Sequence, residues 1–255
     1  MISAGDIYQA VDAVAPFDSA LEYDNVGILV GGSAQQVSRV MLCLDITPDI
    51  IEEAAGKNVD LLLSHHPVIF SPLKALSDRD VPYLLAQRGI AALCCHTNLD
   101  MAAEIGVNIS LAKKLGLVNI RGGLEAIQGY YTYCGELPEA AEPAELAMLV
   151  KHRLNAGRIL FKAGEKPVKK ICVCSGAGGE YLEAAEDSGA DAFITGELKH
   201  HEMLEAIRLS ITVIAAGHYE TETCFGDLLM PYLEREFPSV GFIHSKKEEP
   251  PMKYI

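Results

Sequence analysis

"RVMLCLDITPDIIEEAAGKNVDLLLS", residues 39–64, reads as strand, helix, strand. Its outer runs, "VMLCL" and "VDLLLS", are short and almost wholly apolar, the pattern of strands covered on both faces. Between them Thr47 stands as an N-cap before Pro48 at the first helical position, where a missing N–H costs nothing. The same reading recurs 131 positions on. "RVMLCLD" aligns without gaps with "KICVCSG", and "IIEEAAGKNVDLLLS" with "YLEAAEDSGADAFIT". Further along, "GIAALCCHTNLD" (89–100) aligns with "ITVIAAGHYETE" (211–222), so that His96-x-x-x-Asp100 meets His218-x-x-x-Glu222 where each apolar run ends.

The rest of the chain continues this alternation. "SAGDIYQAVDAVAP" opens with Ser3 as an N-cap and stops at Pro16, "VPYLLAQRG" and "AAEIGVNISLAKKLGL" read as helices, and "EPAELAMLVKHRLN" begins a helix of the second set. An α/β fold of two interlinked, duplicated lobes is expected. Residues 1–125 form the first lobe, with 235–255 open to return to it, and 126–234 the second. Duplicated halves of this kind pack with equivalent strand ends near one another, which would place a polar site in the cleft between the lobes.

The net charge is −14, with no run of five like charges, so broad attraction to nucleic acid or to an anionic membrane is disfavoured. No apolar window of about 18 residues occurs and the N-terminus lacks a basic region before an apolar one, so a cytoplasmic protein is expected. The seven cysteines form no C-x-x-C pair and mostly sit in strand-like runs, which points to buried thiols rather than disulfides or a thiolate zinc site.

The chemistry concentrates at strand ends. "VDLLLSHHPVIF" (59–70) runs a strand into His65 and His66, and Pro67, having no N–H, helps end the ladder. Adjacent residues of a regular strand face opposite ways, so the two imidazoles can converge only beyond it. An isolated histidine pair is more often at the surface or hydrogen-bonded than metal-ligating. Here, however, His96 with Asp100 and His218 with Glu222 offer further imidazoles and carboxylates at other strand ends, a mixed N/O set suited to Zn, Fe, Ni or Mn. One four-coordinate ion needs only a subset, whereas two ions bridged by a carboxylate use all of them; the dinuclear version is favoured. "TGELKHHEMLEA" adds Glu197, His200 and His201, of which His201 is the better candidate for acid or base work, with helix capping as the alternative. "CSGAGGEY" (174–181) is a Gly-rich turn without a phosphate-loop signature, and no nucleophile elbow is present.

At these residues the chain closely resembles the GTP cyclohydrolase I type 2 homologue family, also called the Nif-three-like dinuclear metal proteins. The matching stretches are "YDNVGILVG" (23–31), "SHHPVIF" (64–70), "HTNLD" (96–100), "GADAFITGELKHH" (189–201) and "GHYETE" (217–222), in the family's order. The resemblance implies two divalent ions per chain. His65 and His66 would each bind a different ion, Asp100 would join one, His218 the other, and Glu222 would bridge them. His96 would stand beside the cluster, supporting the ligands or carrying protons, with His201 as a second proton handler. It also implies a homohexameric ring with the metal sites facing its cavity, and a hydrolytic reaction class on a small polar or nucleotide-like substrate through a metal-bridging hydroxide. A non-enzymatic metal-binding or regulatory ring is the alternative. Tyr23 replaces the tryptophan of many relatives, and the domain that longer members insert between the lobes is missing, residues 120–130 linking them directly.

Overall fold

The computed structural model describes residues 1–253. Its contacts divide the chain into two units, Met1–Leu99 with Phe225–Glu249, and Asp100–Cys224 with the residues from Pro250 on.

The first unit begins with α1 (Ala4–Asp12), whose start is fixed as the sequence predicts. Ser3 Oγ accepts from the Asp6 N–H at 3.2 Å while the Asp6 carboxylate takes the Ser3 N–H at 2.8 Å, a reciprocal cap that stabilises a helix by about 1 kcal/mol. There follow β1 (Gly27–Val30), β2 (Arg39–Cys43), α2 (Pro48–Gly56) with Thr47 as its N-cap, β3 (Leu61–Ser64), α3 (Val81–Arg88), β4 (Ala91–Cys94) and α4 (Thr97–Met101), within which the chain passes into the second unit. Gly89 ends α3 in the left-handed conformation, φ +67°, that glycine adopts without steric cost.

The second unit holds α5 (Val107–Lys114), β5 (Val118–Gly122), β6 (Tyr133–Ala141), α6 (Pro143–Arg153), β7 (Leu160–Lys162), β8 (Val168–Cys174), α7 (Leu182–Asp187), β9 (Ala192–Thr195), α8 (His200–Ala206), β10 (Thr212–Ala215) and α9 (His218–Glu222). The chain then returns to the first unit as α10 (Gly226–Glu236) and β11 (Gly241–His244). The helix expected from residue 102 starts only at Val107, because Gly106 takes the extended N-cap conformation and leaves 102–105 outside the helix.

Each unit carries one sheet, in the orders β1-β4-β3-β2-β11 and β5-β6-β8-β9-β10-β7. The repeat in the sequence is a repeat in the topology. Strands β2, β3 and β4 are parallel neighbours, as are β8, β9 and β10, and each trio gains an antiparallel strand at its last member, β1 on β4 and β7 on β10. Register levels the strand ends. Cys43, Ser64 and Cys94 stand abreast, as do Cys174, Thr195 and Ala215, so the segments that follow leave from one edge of each sheet. Apolar burial fixes that edge. In the first unit Met41, Ile50, Ile51, Leu62 and Leu85 pack α2 and α3 on the sheet; in the second Leu182, Phe193, Leu209 and Val213 do the same work. Fully burying one such side chain stabilises the fold by about 1.5–3 kcal/mol.

The expectation that every cysteine is a thiol is corrected at one pair. Cys134 on β6 and Cys172 on β8 are directly opposed in an antiparallel register and are joined as a disulfide across 38 residues of sequence. Sequence spacing carries no sign of a cross-strand partner this distant, which is why the pair escapes a reading by C-x-x-C motifs. Cys43, Cys94, Cys95, Cys174 and Cys224 are buried and outside any disulfide.

Candidate metal centre

In the first unit the strand pairing continues for two residues past β3, with the His65 N–H on Cys43 O at 3.2 Å and the His66 N–H on Leu44 O at 2.9 Å. The Ser64 hydroxyl donates to His66 O at 2.9 Å, and Pro67 follows. The chain bends there, and the two imidazoles converge to 5.1 Å between centroids, with His96, from the end of β4, 5.1 and 5.4 Å away. The candidate ligand atoms of His65, His66 and His96 all lie within 4.8 Å of one another.

All three rings are held by the same device. His65 Nδ1 donates to Cys95 O, His66 Nδ1 to Asp45 Oδ1 and His96 Nδ1 to Asp24 Oδ1, each at 2.9 Å. Carbonyl and carboxylate oxygens only accept, so Nδ1 carries a proton in each ring. This is the arrangement that orients metal-ligating histidines and raises their basicity. His65 is fully buried, with Phe225 5.5 Å away. Asp24 also accepts from the Thr97 N–H and hydroxyl. Burial works against its charge, but the bonds from His96 and Thr97 outweigh burial and hold its pKa down at about 2.

In the second unit α9 follows β10 after two residues, with Gly217, φ +103°, as its N-cap. His218 and Glu222, one helical turn apart, meet with Nε2 3.1 Å from Oε2, while His218 Nδ1 lies 3.1 Å from Glu197 Oε1 at the end of β9. Glu222 is 3% exposed. Burial opposes the charged imidazole, yet the Glu222 and Glu197 carboxylates prevail and push its pKa up to about 9. Gly176, in the turn after β8, has φ +59°, and a Cβ there would sit 2.3 Å from Glu222 Oε1 and 3.3 Å from His218 Nε2. Only glycine lets that turn pass. Ser175 Oγ stands 3.3 Å from Asp100 Oδ1, and Asn108 Oδ1 accepts from the Ser175 N–H at 2.7 Å. Asp100, His218 and Glu222 therefore all belong to this unit, the first tied to the β8 turn and the other two beside it.

His200 and His201 lie exposed at the start of α8, with His201 Nε2 3.9 Å from Glu202 Oε1. The capping there belongs to Glu202, which accepts the Lys199 N–H at 2.6 Å. Its carboxylate also fills the space beside Gly179, where a Cβ would lie 2.1 Å away, so the Gly-rich turn faces an anion and packs as a tight turn. Sequence reasoning missed Asp24 and Asp45, which hold His96 and His66. Asp24 stood inside the "YDN" stretch, but nothing in spacing ties it to a histidine 72 residues on.

Nitrogen and carboxylate donors of this kind fit a borderline divalent cation of the Zn, Fe, Mn or Ni class, since imidazoles and carboxylates make up both sets and thiolates neither. Among the described residues no helix is long and apolar enough to cross a membrane.

Residues 2–251 match the model of the Duf34/NIF3 (NGG1p interacting factor 3) family. A GTP cyclohydrolase 1 type 2 homolog of Campylobacter jejuni is 30% identical over 237 residues, 88% of this chain and 89% of that protein. NIF3-like protein 1 of Drosophila melanogaster is 30% identical over 242 residues, 90% of this chain and 81% of that one. The crystal structure of Staphylococcus aureus hypothetical protein SA1388 superposes with a TM-score of 0.91 at 27% identity, covering 100% of this chain and 99% of that one.

Proposed function

The chain belongs to the Duf34/NIF3 family, and from that premise we propose that it is a dinuclear metal protein that hydrolyses a small polar or nucleotide-like substrate. The proposed ligands are His65, His66, Asp100, His218 and Glu222, serving two divalent ions of the Zn, Fe, Mn or Ni class, with Glu222 shared between them. One observation carries the reading. Four imidazoles, His65, His66, His96 and His218, each place Nδ1 against a carbonyl or carboxylate oxygen, the arrangement that orients metal-ligating histidines.

Two such ions, when bound, supply Lewis acidity that activates water and polarises an electrophile. The chain's own residues do the rest. Asp24 and Asp45 stand 2.9 Å from Nδ1 of His96 and His66 and fix the orientation of both rings. Gly176 leaves room for the Glu222 carboxylate. His96, backed by a buried carboxylate, is the proposed proton carrier, and His201 the second. The relatives' name, GTP cyclohydrolase 1 type 2 homolog, suggests a nucleotide, and the substrate class proposed here includes one. The homohexameric ring and the cytoplasmic location belong to the same proposal.

Elemental analysis of the purified, unchelated chain tests it, with metal per chain compared between the wild type and Glu222→Ala, followed by a panel of phosphoester, nucleotide and cyclic amide substrates. Near two ions per chain, falling sharply in the variant, is the expected result. A wild type that stays metal-free after reconstitution with each of the four ions sinks the proposal, and two ions without turnover on any substrate class leave a metal-binding protein that is not a hydrolase.

A further inference from the structure

The largest unexplained chemistry lies elsewhere in the second unit, at the Cys134–Cys172 disulfide. Register places Arg121 of β5, Cys134 of β6 and Cys172 of β8 in one row across three strands, with Glu136 opposite Lys170 in the next row on the same face. Helix α7 covers this face over Cys172 and stops at Asp187, so the sheet beyond it is open. What remains is a cavity of about 520 Å³ lined by both cysteines, Arg121, Lys170, Glu136 and Ser188. Cys172 is 1% exposed while Cys134 is half-buried, so one sulfur of the pair faces the cavity and the other lies under the helix end. Two cations against one carboxylate make the cavity attractive to anions.

We infer that this cavity is a thiol–disulfide exchange site for a small anionic thiol. Its thiolate attacks Cys134 Sγ, forming a new S–S bond there, and the Cys134–Cys172 bond breaks with its electron pair going to Cys172 Sγ, which takes a proton from solvent. Geometry selects the sulfur attacked. The bond joins facing positions of adjacent strands, so the approach opposite the leaving sulfur comes from the β5 side, where Arg121 stands and where a carboxylate-bearing thiol would be held. The leaving side is equipped as well. Ser188 Oγ donates to Ala185 O at 2.7 Å, which leaves its lone pairs toward Cys172 Sγ, 3.4 Å away, to accept from the thiol once it forms. A second thiol then attacks the mixed disulfide, releasing Cys134 as a thiol and the small molecule as its own disulfide. The balance is one protein disulfide and two thiols to one protein dithiol and one small disulfide. In a reducing compartment the site therefore reports the thiol poise.

The test uses the full chain and glutathione as the anionic thiol, with cysteamine as a cationic thiol of the same reactivity class. After equilibration in glutathione buffers of graded poise, alkylation and peptide mass spectrometry are expected to find Cys134 and Cys172 linked in the oxidising range. At matched thiolate concentration, glutathione is expected to open the bond about 10-fold faster than cysteamine, and Arg121→Ala with Lys170→Ala to erase that preference without touching the core. Cys172→Ser is expected to trap glutathione on Cys134, and because that variant alters a buried position, the charge variants give an independent reading. Two cysteines that stay alkylatable in the most oxidising buffer, or a cysteamine rate equal to that of glutathione in the wild type, overturns the proposal.

Discussion

The two units use one strand arrangement to present different donors. At the ends of β3 and β4 the first unit sets three imidazoles, each with Nδ1 donating to a carbonyl or carboxylate oxygen. At the ends of β9 and β10 the second sets one imidazole between two carboxylates, Glu197 on Nδ1 and Glu222 on Nε2. His96 and His218 are equivalent in the repeat, yet the one is backed by Asp24, whose side chain is fully buried, and the other by Glu197, whose side chain is 60% exposed. The lesson is that duplication preserved where the strand ends fall and left their electrostatics to diverge. The first unit backs its imidazoles with a carbonyl and two carboxylates; the second, without metal, holds a proton on His218 that an ion must displace.

Removing the buried backing carboxylate strikes this contrast hardest. Asp24→Ala strips acceptors from His96 Nδ1 and from the Thr97 N–H and hydroxyl, leaving part-buried donors unmet. We expect a loss of about 3 kcal/mol in the unfolding free energy of the metal-free chain, and metal affinity lower by about 10–100-fold. Urea unfolding and competition with a chromophoric chelator measure the two. An Asp24→Ala chain that binds metal like the wild type would show that tautomer control in the first unit is irrelevant to binding.

Gly176→Ala comes next and probes the second unit. The added methyl would lie 2.3 Å from Glu222 Oε1 at a φ of +59°, so both the turn and the carboxylate must shift. A destabilisation of about 1–2 kcal/mol is expected from the left-handed backbone alone, with metal content reduced and His65, His66 and His96 undisturbed. Unchanged metal content would mean that Glu222 tolerates displacement and is not a ligand whose position matters.

Much of this contrast was legible in the residues. The strand–helix–strand repeat followed from short apolar runs and from caps such as Thr47–Pro48, and the topology repeats it down to the antiparallel strand on each trio. The histidines and acids at the strand ends were visible because apolar patterning stops where they begin. What the sequence hid were relations across space. Asp24 and Asp45 reach their histidines from other segments, and Cys134 meets Cys172 only through an antiparallel register that no local pattern announces. Gly106 delayed a helix that the pattern starts at 102, because glycine takes the extended cap without a side chain to mark it. His201 shared a stretch with Glu197, yet it lies exposed on α8 while Glu197 turns to His218.

The proton on His218 gives the second unit a pH signature. Its pKa is raised from 6.5 to about 9 in the folded, metal-free chain. A raised pKa contributes stability that is fully present below the unfolded value and is lost as pH rises through the folded one. The metal-free chain should therefore lose stability between pH 6.5 and 9, and NMR should find one imidazole titrating near the top of that window. Glu222→Gln should flatten the stability loss and lower that titration. A slope that persists in Glu222→Gln would assign it to another group.

The smallest effect is expected at Glu197, and it sharpens the comparison most. Asp24 and Glu197 hold equivalent histidines, so a carboxylate's role as such would make Glu197→Gln as damaging as the loss of Asp24. Solvent argues otherwise. Water screens a side chain 60% exposed, and an exposed pair contributes about 0–1 kcal/mol, whereas Glu222, 4% exposed at the side chain, keeps its hold on Nε2. Glutamine at 197 can still accept from Nδ1–H through its carbonyl oxygen. We therefore expect Glu197→Gln to lower the His218 titration part of the way, to leave it above that of an ordinary imidazole, and to change unfolding free energy by less than about 1 kcal/mol. Comparing the NMR titration with urea midpoints separates these. A stability loss as large as that of Asp24→Ala would mean that the exposed carboxylate acts through a desolvated contact, and the contrast between a buried and a solvated backing group would fail.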